Sequence, residues 1–447
     1  MQRYPRKVLQ VLAAAALLNV PLGAQAMHDG DPSTQNMHPL GHDEVPASLL
    51  TGAGGGNIHT DIAFWGRHAF QGSWLGFDIY DISAPGNPQL VSSTVCEGNQ
   101  GDVVVWDDIL VRSWNSPASG TQLCDEDLVP AGFEGLHIFD ISDLDAPELV
   151  GSVDLSAAAV GGCGSHTATG VPDLANDRLL IYNSGSGCDG IDIVEVPLDN
   201  PSDAAFLRHE PAGRNCHDTG VILGDAMLAA CAGGDGFTVW TLAGSGTLED
   251  PDELYSQAVP GVSSGHSAAF TWDGEVLVFG HEPGGGVQAN CQAANPDSDK
   301  TFFFFDSLTG IQLGGWTLPR AQSDIENCTL HNLNTVPLRS GNDVLVHGSY
   351  QSGTSAVDFT DPAFPVEIGF SDPPPIPPPG GPFCSGLGCE IGGVWSTYWY
   401  NNFMYETNIT EGLNIYRLSD EVTAGAMWLD HLNPQTQEFT IVPRGRN

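Results

Sequence analysis

Short apolar runs joined by tight polar turns recur along most of the chain. Typical examples are VVVWDDILVRS at 103–113 and FTWDGEVLVFG at 270–280, in which a few polar residues separate two apolar segments. Runs of this length, bounded by Asp, Asn and Gly, are typical of β-hairpins. Because a helical period of apolar residues is almost absent, the pattern predicts an all-β protein.

A second motif accompanies these hairpins and repeats. GFDIYDISAPGNPQLVSS at 76–93 matches GLHIFDISDLDAPELVGS at 135–152, and GTSAVDFTDPAFPVEIG at 353–369 matches both more weakly. In each copy an aspartate precedes a proline by seven residues. This spacing predicts a strand, a turn stabilised by the aspartate, and a second strand entered after the proline.

Together the two motifs give units of four strands. Seven such units begin near residues 59, 100, 166, 217, 266, 331 and 394. Four-stranded sheets that repeat along a chain in this way bury their faces only against neighbouring sheets, as the blades of a propeller do. The sequence therefore predicts a seven-bladed β-propeller of four-stranded blades over residues 50–420.

The repeat units also resemble a known family. GLHIFDIS, followed by a proline and LVGS, is similar to the LVIVD repeats of exported β-propeller proteins. The resemblance is good for two units, partial for a third and weak elsewhere. It implies a propeller fold and an exported protein, and it names no reaction, because one fold hosts many functions.

The two ends of the chain are predicted to lie outside the propeller. Residues 1–26 combine a basic start, a short apolar run and a small-residue cleavage site, as secretory signal peptides do. Residues 27–49 are expected to be a flexible acidic tail whose His and Met side chains either capture copper or nickel or are simply polar. Residues 421–447 are expected to be a C-terminal extension. No further run is long enough to span a membrane, so the predicted location is secreted or periplasmic.

Charge and cysteine content narrow the function classes. The formal net charge of −41 argues against binding to nucleic acid or to anionic membranes. An even number of cysteines in an exported chain predicts disulfides. Although spacing alone does not fix the connectivity, pairing in sequence order is expected to staple the loops at one mouth of the channel. The expected pairs are Cys96–Cys124, Cys163–Cys188, Cys216–Cys231, Cys291–Cys328 and Cys384–Cys389.

Histidine opens five of the seven units at one register, although the chain has only 14 histidines. The innermost strand of each blade lines the channel, so residues at one register should form a ring at one mouth. Imidazole rings of this kind suit zinc, copper, iron or nickel. The alternative is a structural ring, inherited by duplication, that hydrogen-bonds to backbone or water. The predicted metal ligands are His59, His166, His217, His266 and His331.

Several other polar residues are expected near the same mouth, beside the long loops that bear function in such scaffolds. They are candidates for a general acid or base, for support of the metal ligands or for substrate contact: Gln100, Asp61, Asp102, Asp218, Arg112, His281, Glu282, Glu326 and Glu406. Arg112 and Glu406 interrupt apolar strands, which indicates either a buried ion pair or a substrate contact.

Two classes of function remain open. The first is a binding or scaffold module that holds a protein, polysaccharide or small molecule at the loop-rich face. The second is an exported metalloenzyme with a histidine-bound ion at the propeller axis. The sequence contains no Gly-x-Ser-x-Gly elbow, phosphate loop or dinucleotide fingerprint in a suitable setting. Whether the protein is an enzyme is therefore undetermined at this stage.

Overall fold

Seven antiparallel sheets surround a central channel in the structure, which is a computed structural model. It describes residues 31–44, 58–185, 187–376, 392–409 and 411–442. The regular helical structure of these residues consists of four short 3-10 turns at Leu174–Asn176, Pro201–Asp203, Asp297–Lys300 and Glu421–Thr423. The predicted seven-bladed, all-β architecture is thus confirmed.

The strands follow the predicted units closely. The first strand, β1 (Met37–Glu44), belongs to the last blade. Blade 1 contains β2 (His59–Trp65), β3 (His68–Ser73), β4 (Gly76–Asp81) and β5 (Gln89–Val95). Blade 2 contains β6 (Val103–Trp106), β7 (Ile109–Trp114), β10 (Gly135–Asp140) and β11 (Glu148–Asp154), with a small hairpin of β8 (Leu123–Cys124) and β9 (Asp127–Leu128) in its loop.

Blades 3 to 5 have the same order from the channel outward. Blade 3 contains β12 (Thr167–Asp173), β13 (Arg178–Ser184), β14 (Ile191–Pro197) and β15 (Ala205–Glu210). Blade 4 contains β16 (Cys216–Ile222), β17 (Leu228–Gly233), β18 (Gly236–Thr241) and β19 (Asp252–Ala258). Blade 5 contains β20 (Gly265–Phe270), β21 (Val276–His281), β22 (Thr301–Asp306) and β23 (Gln312–Thr317).

The last two blades complete the ring, and two short strands follow them near the end of the chain. Blade 6 contains β24 (Leu333–Thr335), β25 (Val344–Gly348), β26 (Thr354–Asp358) and β27 (Val366–Ser371). Blade 7 contains β28 (Val394–Tyr400), β29 (Phe403–Asn408), β30 (Gly412–Leu418) and β1. The final strands are β31 (His431–Leu432) and β32 (Thr436–Gln437).

The repeated aspartates have the local role that their spacing predicted. Asp81 accepts a hydrogen bond from the backbone N–H of Ser83 at 2.8 Å, and Asp140 accepts one from that of Ser142 at 2.8 Å. In the weaker copy, Asp358 accepts the N–H of Thr360 at 3.0 Å. Each carboxylate thereby closes the turn between the third and fourth strands of its blade.

The hydrophobic core lies between blades rather than within one. Phe77 of blade 1, for example, meets Phe139 of blade 2 edge-on, with 5.0 Å between ring centroids. Both side chains are buried in one cluster that spans the two blades. Apolar side chains on both faces of each sheet are therefore covered, which explains the apolar runs of the inner strands.

The N-terminal segment closes the ring. Strand β1 pairs antiparallel with β30 from Met37 opposite Leu418 to Glu44 opposite Gly412. Met37 is buried, and the Nδ1 atom of His42 lies 2.8 Å from Oδ1 of Asn414. The expectation of a flexible tail is therefore wrong for residues 37–44, because this segment supplies the outer strand that blade 7 lacks.

The C-terminal extension returns to the channel. Strand β31 pairs with β2, and β32 runs parallel to the end of β16 that is remote from His217. Side chains between Asn433 and Gln437 bond to inner strands of the other five blades. Their partners are Val105, Gly170, Phe270, Thr335 and Tyr398. This segment occupies the end of the channel opposite the predicted histidine mouth.

Four disulfides join the described cysteines in the predicted sequential order. They are Cys96–Cys124, Cys163–Cys188, Cys216–Cys231 and Cys291–Cys328. The third links the first two strands of blade 4 next to His217. The fourth ties the loop after β21 to the segment that precedes His331. The fifth predicted pair, Cys384–Cys389, lies outside the described residues.

A buried histidine in blade 6 makes stability depend on pH. His347 packs against Phe302 and Trp316, and burial lowers its pKa from 6.5 to about 3. The unfolded chain thus takes up a proton below pH 6.5 that the folded chain refuses, so this residue weakens folding as pH falls from 6.5 towards 3.

We expect the substitution His347→Gln to reduce this dependence. Between about pH 6 and pH 4, the slope of the unfolding free energy against pH should become smaller by up to about 1.4 kcal/mol per pH unit. Urea unfolding at several pH values measures the slope for both proteins. Equal slopes in the variant and the parent would show that His347 binds its proton alike in the folded and unfolded chains.

Candidate metal centre

A cavity of about 520 Å³ lies at the histidine mouth of the channel. Inner strands, the residues just before them and the loop after β21 supply its walls. Its lining residues are Ile58, Trp74, Gln100, His166, His217, Ser264, His266, Glu282, Gly285, Gly286, Val287, His331, Tyr350, Trp395 and Ile409. Four of the five predicted histidines are therefore brought together.

Bulges at the start of the inner strands direct two of these histidines into the cavity. In blade 4, Cys216 pairs with Gly233 and Asp218 pairs with Ala232, so His217 is the extra residue. In blade 5 the register shifts between Gly265 and Ala268, at His266. A β-bulge re-aims a side chain that would otherwise alternate between the two faces of the sheet.

The four histidines form a continuous row. The Nε2 atoms of His166 and His217 are 2.7 Å apart. The ring centroids are 3.9 Å apart between His217 and His266, and 4.4 Å apart between His266 and His331. Burial lowers the pKa of His217 and of His331 to about 3, so the imidazoles are neutral at neutral pH, as metal ligation requires.

Two of the rings have tautomers that their neighbours fix. The Nδ1 atom of His331 lies 2.5 Å from the carbonyl oxygen of Trp395, which can only accept, so this nitrogen carries the proton. The hydroxyl of Ser267 donates to the carbonyl of His331 at 2.5 Å, and its oxygen faces Nδ1 of His266 at 3.0 Å. His266 therefore also carries its proton on Nδ1. Each ring presents an unprotonated Nε2 atom.

Both of these Nε2 atoms face the carboxyl group of Glu282. The distance is 3.8 Å from His266 to Oε2 and 3.4 Å from His331 to Oε1. The Tyr350 hydroxyl donates to Oε1 at 2.5 Å and lies 3.2 Å from Nε2 of His331. Burial raises the pKa of Glu282 to about 8, the hydrogen bond from Tyr350 opposes this shift, and the charge of Asp218 adds to it.

The 3.4 Å separation fits two ligands of one metal ion, and the 3.8 Å separation is slightly wider than two such ligands have. Two ligands that each lie at about 2.1 Å from an ion, at angles near 90–110°, are about 3.0–3.5 Å apart. Two imidazole nitrogens and one carboxylate are the ligand set of many zinc and non-haem iron sites that keep open positions. His217, Asp218 and His266 form a second close group. Two further groups contain cysteines that are already joined in disulfides, which removes their thiolates as ligands.

His59 is not part of the cavity, so its predicted place in the ring is wrong. It pairs with Ser73 immediately before a bulge, the position that Cys216 holds in blade 4 and Gly265 in blade 5. The histidine of blade 1 therefore stands one residue before the position that His217 holds in blade 4. His59 is fully buried, and burial lowers its pKa although the charge of the nearby Asp78 opposes this shift.

Four of the other candidates lie in or below the cavity. Gln100 lines it, and Asp218 lies 3.1 Å from Nδ1 of His217 and 3.5 Å from Nδ1 of His266. Asp61 is buried deeper in the channel and accepts from the amide of Gln435 at 2.5 Å. Burial and the charge of Asp61 raise the pKa of Asp102, which is also buried.

Arg112 makes neither of the contacts that were expected for it. Its fully buried guanidinium donates to backbone carbonyls, including those of Ser73 at 2.7 Å and Gln100 at 2.8 Å. It therefore fixes the backbone at the mouth, where Gln100 has a positive φ of 57°. This is a structural role, since the guanidinium does not line the cavity.

Three further candidates serve the scaffold. His281 accepts the N–H of Ser263 at 3.1 Å, and Glu326 accepts that of Ser323 at 2.6 Å. Glu406 accepts the Thr354 hydroxyl at 2.6 Å between blades 6 and 7, so it forms no ion pair with Arg112. None of the three lines the cavity at the channel mouth.

Sequence reasoning missed three aromatic residues of the cavity. Trp395 occupies the bulge position of blade 7, between Val394 and Ser396, so a correct alignment of the bulges would have found it. Tyr350 and Trp74 lie where strands of their own blades connect, outside the aligned register. No repeat signal marks these two positions.

Comparison with known proteins is consistent with this description. The LVIVD repeat matches residues 58–95 and 131–155, which cover blade 1 and the outer half of blade 2. No curated protein matches the sequence significantly. The described part of the chain has no helix with the length and hydrophobicity of a membrane span.

Solved structures show the same fold at low identity. The periplasmic gluconolactonase PpgL of Pseudomonas aeruginosa is 11% identical, with a TM-score of 0.52 over 86% of this chain and 97% of that chain. A protein from Lactobacillus plantarum is 11% identical, with a TM-score of 0.51 over the same shares. At this identity the likeness concerns architecture alone. The chain therefore contains LVIVD repeats in the first two of its seven blades and has the fold of a β-propeller.

Proposed function

We propose that the protein is an exported binding module that holds one divalent transition-metal ion between His266, Glu282 and His331. The ion keeps open coordination positions towards the cavity, where a small molecule binds. His166 and His217 flank the ion at the rim. This ligand set differs from the all-histidine set expected from the sequence, because a carboxylate from the loop after β21 takes the third place.

One observation carries the proposal. Two imidazole nitrogens whose protons are held on the far side of each ring point at the same carboxyl group. When Glu282 is ionised, as metal ligation requires, three acceptors converge in a buried site and repel one another unless a cation lies between them. Without an ion the raised pKa of Glu282 keeps a proton on the carboxyl group at neutral pH, and a bound ion would take the place of that proton. A structural histidine ring would instead direct ring N–H groups towards such an acceptor.

The disulfides and the predicted signal peptide support the proposed compartment. Four disulfides in a chain of this size are typical of secreted or periplasmic proteins. The predicted signal peptide of residues 1–26 lies outside the described residues. The net charge of −41 disfavours nucleic acid as a partner, and the cavity at the loop-rich face favours a small molecule.

Metal content tests the proposal directly. Untagged protein, dialysed against zinc, copper, iron or manganese salts and then against buffer, should retain about one ion per chain. His266→Ala, His331→Ala and Glu282→Gln should each lower the affinity by about 100-fold or more, because a ligand lost is worth more than a supporting contact. Elemental analysis and competition with a chromophoric chelator measure both quantities.

Histidines near the N-terminus could bind metal themselves and must be removed in a control without disturbing β1. Since β1 is part of blade 7, His38 should be replaced by alanine rather than deleted with its strand, and His28 should be replaced by alanine as well. The variant His68→Ala alters a histidine at the other end of blade 1 and should retain the ion. If His266→Ala bound metal as tightly as His68→Ala, the proposed centre would be refuted.

Two adjacent glycines give a matched pair for the geometry of the site. A Cβ atom on Gly286 would lie 2.1 Å from the Tyr350 hydroxyl and 2.6 Å from Oε1 of Glu282, whereas one on Gly285 meets nothing within 4 Å. Both have positive φ, 68° and 64°, so both alanine variants carry similar backbone strain.

We expect Gly286→Ala to weaken metal binding by about tenfold or more, since it displaces Glu282 by steric contact. Gly285→Ala should bind as the parent does while losing a similar amount of stability. Chelator competition and thermal unfolding on both variants separate the two effects. Equal metal affinities in the pair would contradict the role given to Glu282.

A metalloenzyme is the second candidate function, and Tyr350 favours it. Its hydroxyl lies 3.2 Å from one proposed ligand nitrogen and bonds to the proposed ligand carboxylate. A group so placed is able to donate a proton to a molecule bound at the ion. If a screen of metal-loaded protein finds turnover, Tyr350→Phe should lower it by about 100-fold without loss of metal. Undiminished turnover would exclude Tyr350 as the proton donor.

A further inference from the structure

The cavity has two chemically different sides. One side carries the histidine row and Glu282. The other is an apolar cluster whose members pack on one another and face the same space. This cluster consists of Ile58, Trp74, Val287, Tyr350, Trp395 and Ile409.

The apolar side begins beside the proposed ion. The Trp395 ring meets the His331 ring edge-on, with centroids 5.2 Å apart and planes at 89°. Tyr350 and Trp395 are also nearly perpendicular, with centroids 6.4 Å apart. Any molecule that binds at the ion with one atom must therefore lay the rest of its body against aromatic and aliphatic side chains.

The charges of the residues that line the cavity restrict the chemistry of the part of the ligand that lies away from the ion. Among the described residues that line the cavity there is no lysine or arginine, whereas there is a carboxyl group, that of Glu282. The chain as a whole has a formal net charge of −41. A second anionic group on the ligand would lose its hydration without a partner, which is unfavourable in an apolar site. Only the atom on the metal has a polar partner of opposite charge.

We propose that the cavity binds small uncharged molecules that join one metal-ligating donor to an aromatic or aliphatic body of about the size of a phenyl ring. The inference rests on the proposed metal centre and adds the chemical class of its ligand. A volume of about 520 Å³ is within the range of small-molecule pockets.

A ligand series with one constant donor tests this class. Protein loaded with Co²⁺ is titrated with imidazole, 4-phenylimidazole and imidazole-4-acetate, and the visible spectrum of the ion reports binding. Because burial of a phenyl ring is strongly favourable, 4-phenylimidazole should bind at least about tenfold more tightly than imidazole. Imidazole-4-acetate should bind no more tightly than imidazole.

A pair of tryptophan variants locates the effect. Trp395→Leu should reduce the ratio of the affinity for 4-phenylimidazole to the affinity for imidazole by about fivefold, both affinities being measured on metal-loaded variant. Trp428→Leu makes the same chemical change at a site that is 67% exposed and outside the cavity, and it should change nothing.

The possible failures are distinguishable. If elemental analysis finds no ion, the metal centre itself is refuted, and the ligand class is refuted with it. If the ion is present and imidazole binds as tightly as 4-phenylimidazole, or the acetate derivative binds most tightly, only the ligand class is overturned. An equal loss of preference in both tryptophan variants also overturns it.

Discussion

A chain that ends at Met427 should lose about 5 kcal/mol or more of folding free energy, or fail to fold. The deletion removes the buried side chains Leu429, Leu432 and Ile441, each of which contributes about 1.5–3 kcal/mol by burial. The deletion also removes the side-chain amide of Asn433. This amide accepts a hydrogen bond from the N–H of Val105 at 2.8 Å and donates one to the carbonyl of Val105 at 2.9 Å. Those backbone groups would face an open channel.

Thermal or urea unfolding measures this loss. A chain that ends at Val442 keeps every described residue and is the matched control. The single substitution Asn433→Ala should cost about 1–3 kcal/mol, because it leaves two buried backbone groups without partners. If the chain that ends at Met427 unfolded at the same urea concentration as the control, the C-terminal segment would be an appendage rather than part of the fold.

Removal of residues 31–44 should have a comparable effect through a different cause. Without β1, blade 7 has three strands, and β30 exposes an unpaired edge next to blade 6. The lost pairing extends from Met37 to Glu44, and each hydrogen bond is worth about 0.5–1.5 kcal/mol, so a loss of about 3–6 kcal/mol is expected. An exposed edge strand also promotes aggregation.

Complementation distinguishes a structural strand from a tail. A synthetic peptide of residues 31–44, added to the truncated protein, should restore the midpoint of unfolding in a concentration-dependent manner. A peptide of the same composition in scrambled order should not, because the pairing register would be lost. Identical unfolding of the truncated and complete chains would support the flexible tail that the sequence suggested.

The repeats made the architecture predictable. Hairpin turns, the aspartate-to-proline spacing and the even distribution of units all depend on neighbouring residues, and local chemistry is what sequence patterns express. The sequential pairing of the described disulfides was predictable for the same reason, since each disulfide closes a short segment of the chain near its own blade. Four of the five histidines were also placed at the correct mouth by their register.

Two properties of the site depended on features that no local pattern marks. In blade 1 the histidine precedes the bulge, whereas in blade 4 the histidine is the bulged residue, so His59 resembles the other histidines in sequence but not in position. Glu282 becomes a candidate ligand because its loop folds back on blade 5. The disulfide Cys291–Cys328 holds this loop in place. Neither event leaves a periodic signal in the chain.

The roles of the two termini depended on ring closure. Polar, histidine-containing residues at 37–44 resemble a solvated tail, and nothing local shows that blade 7 lacks an outer strand until the strands are counted around the ring. Likewise, Asn433 and Gln435 resemble surface residues, yet they satisfy buried groups in the channel. The chain thus encodes its blades in local patterns, whereas closure of the ring, the plugged channel and the ligand set arise from pairings that exist only once the blades have assembled.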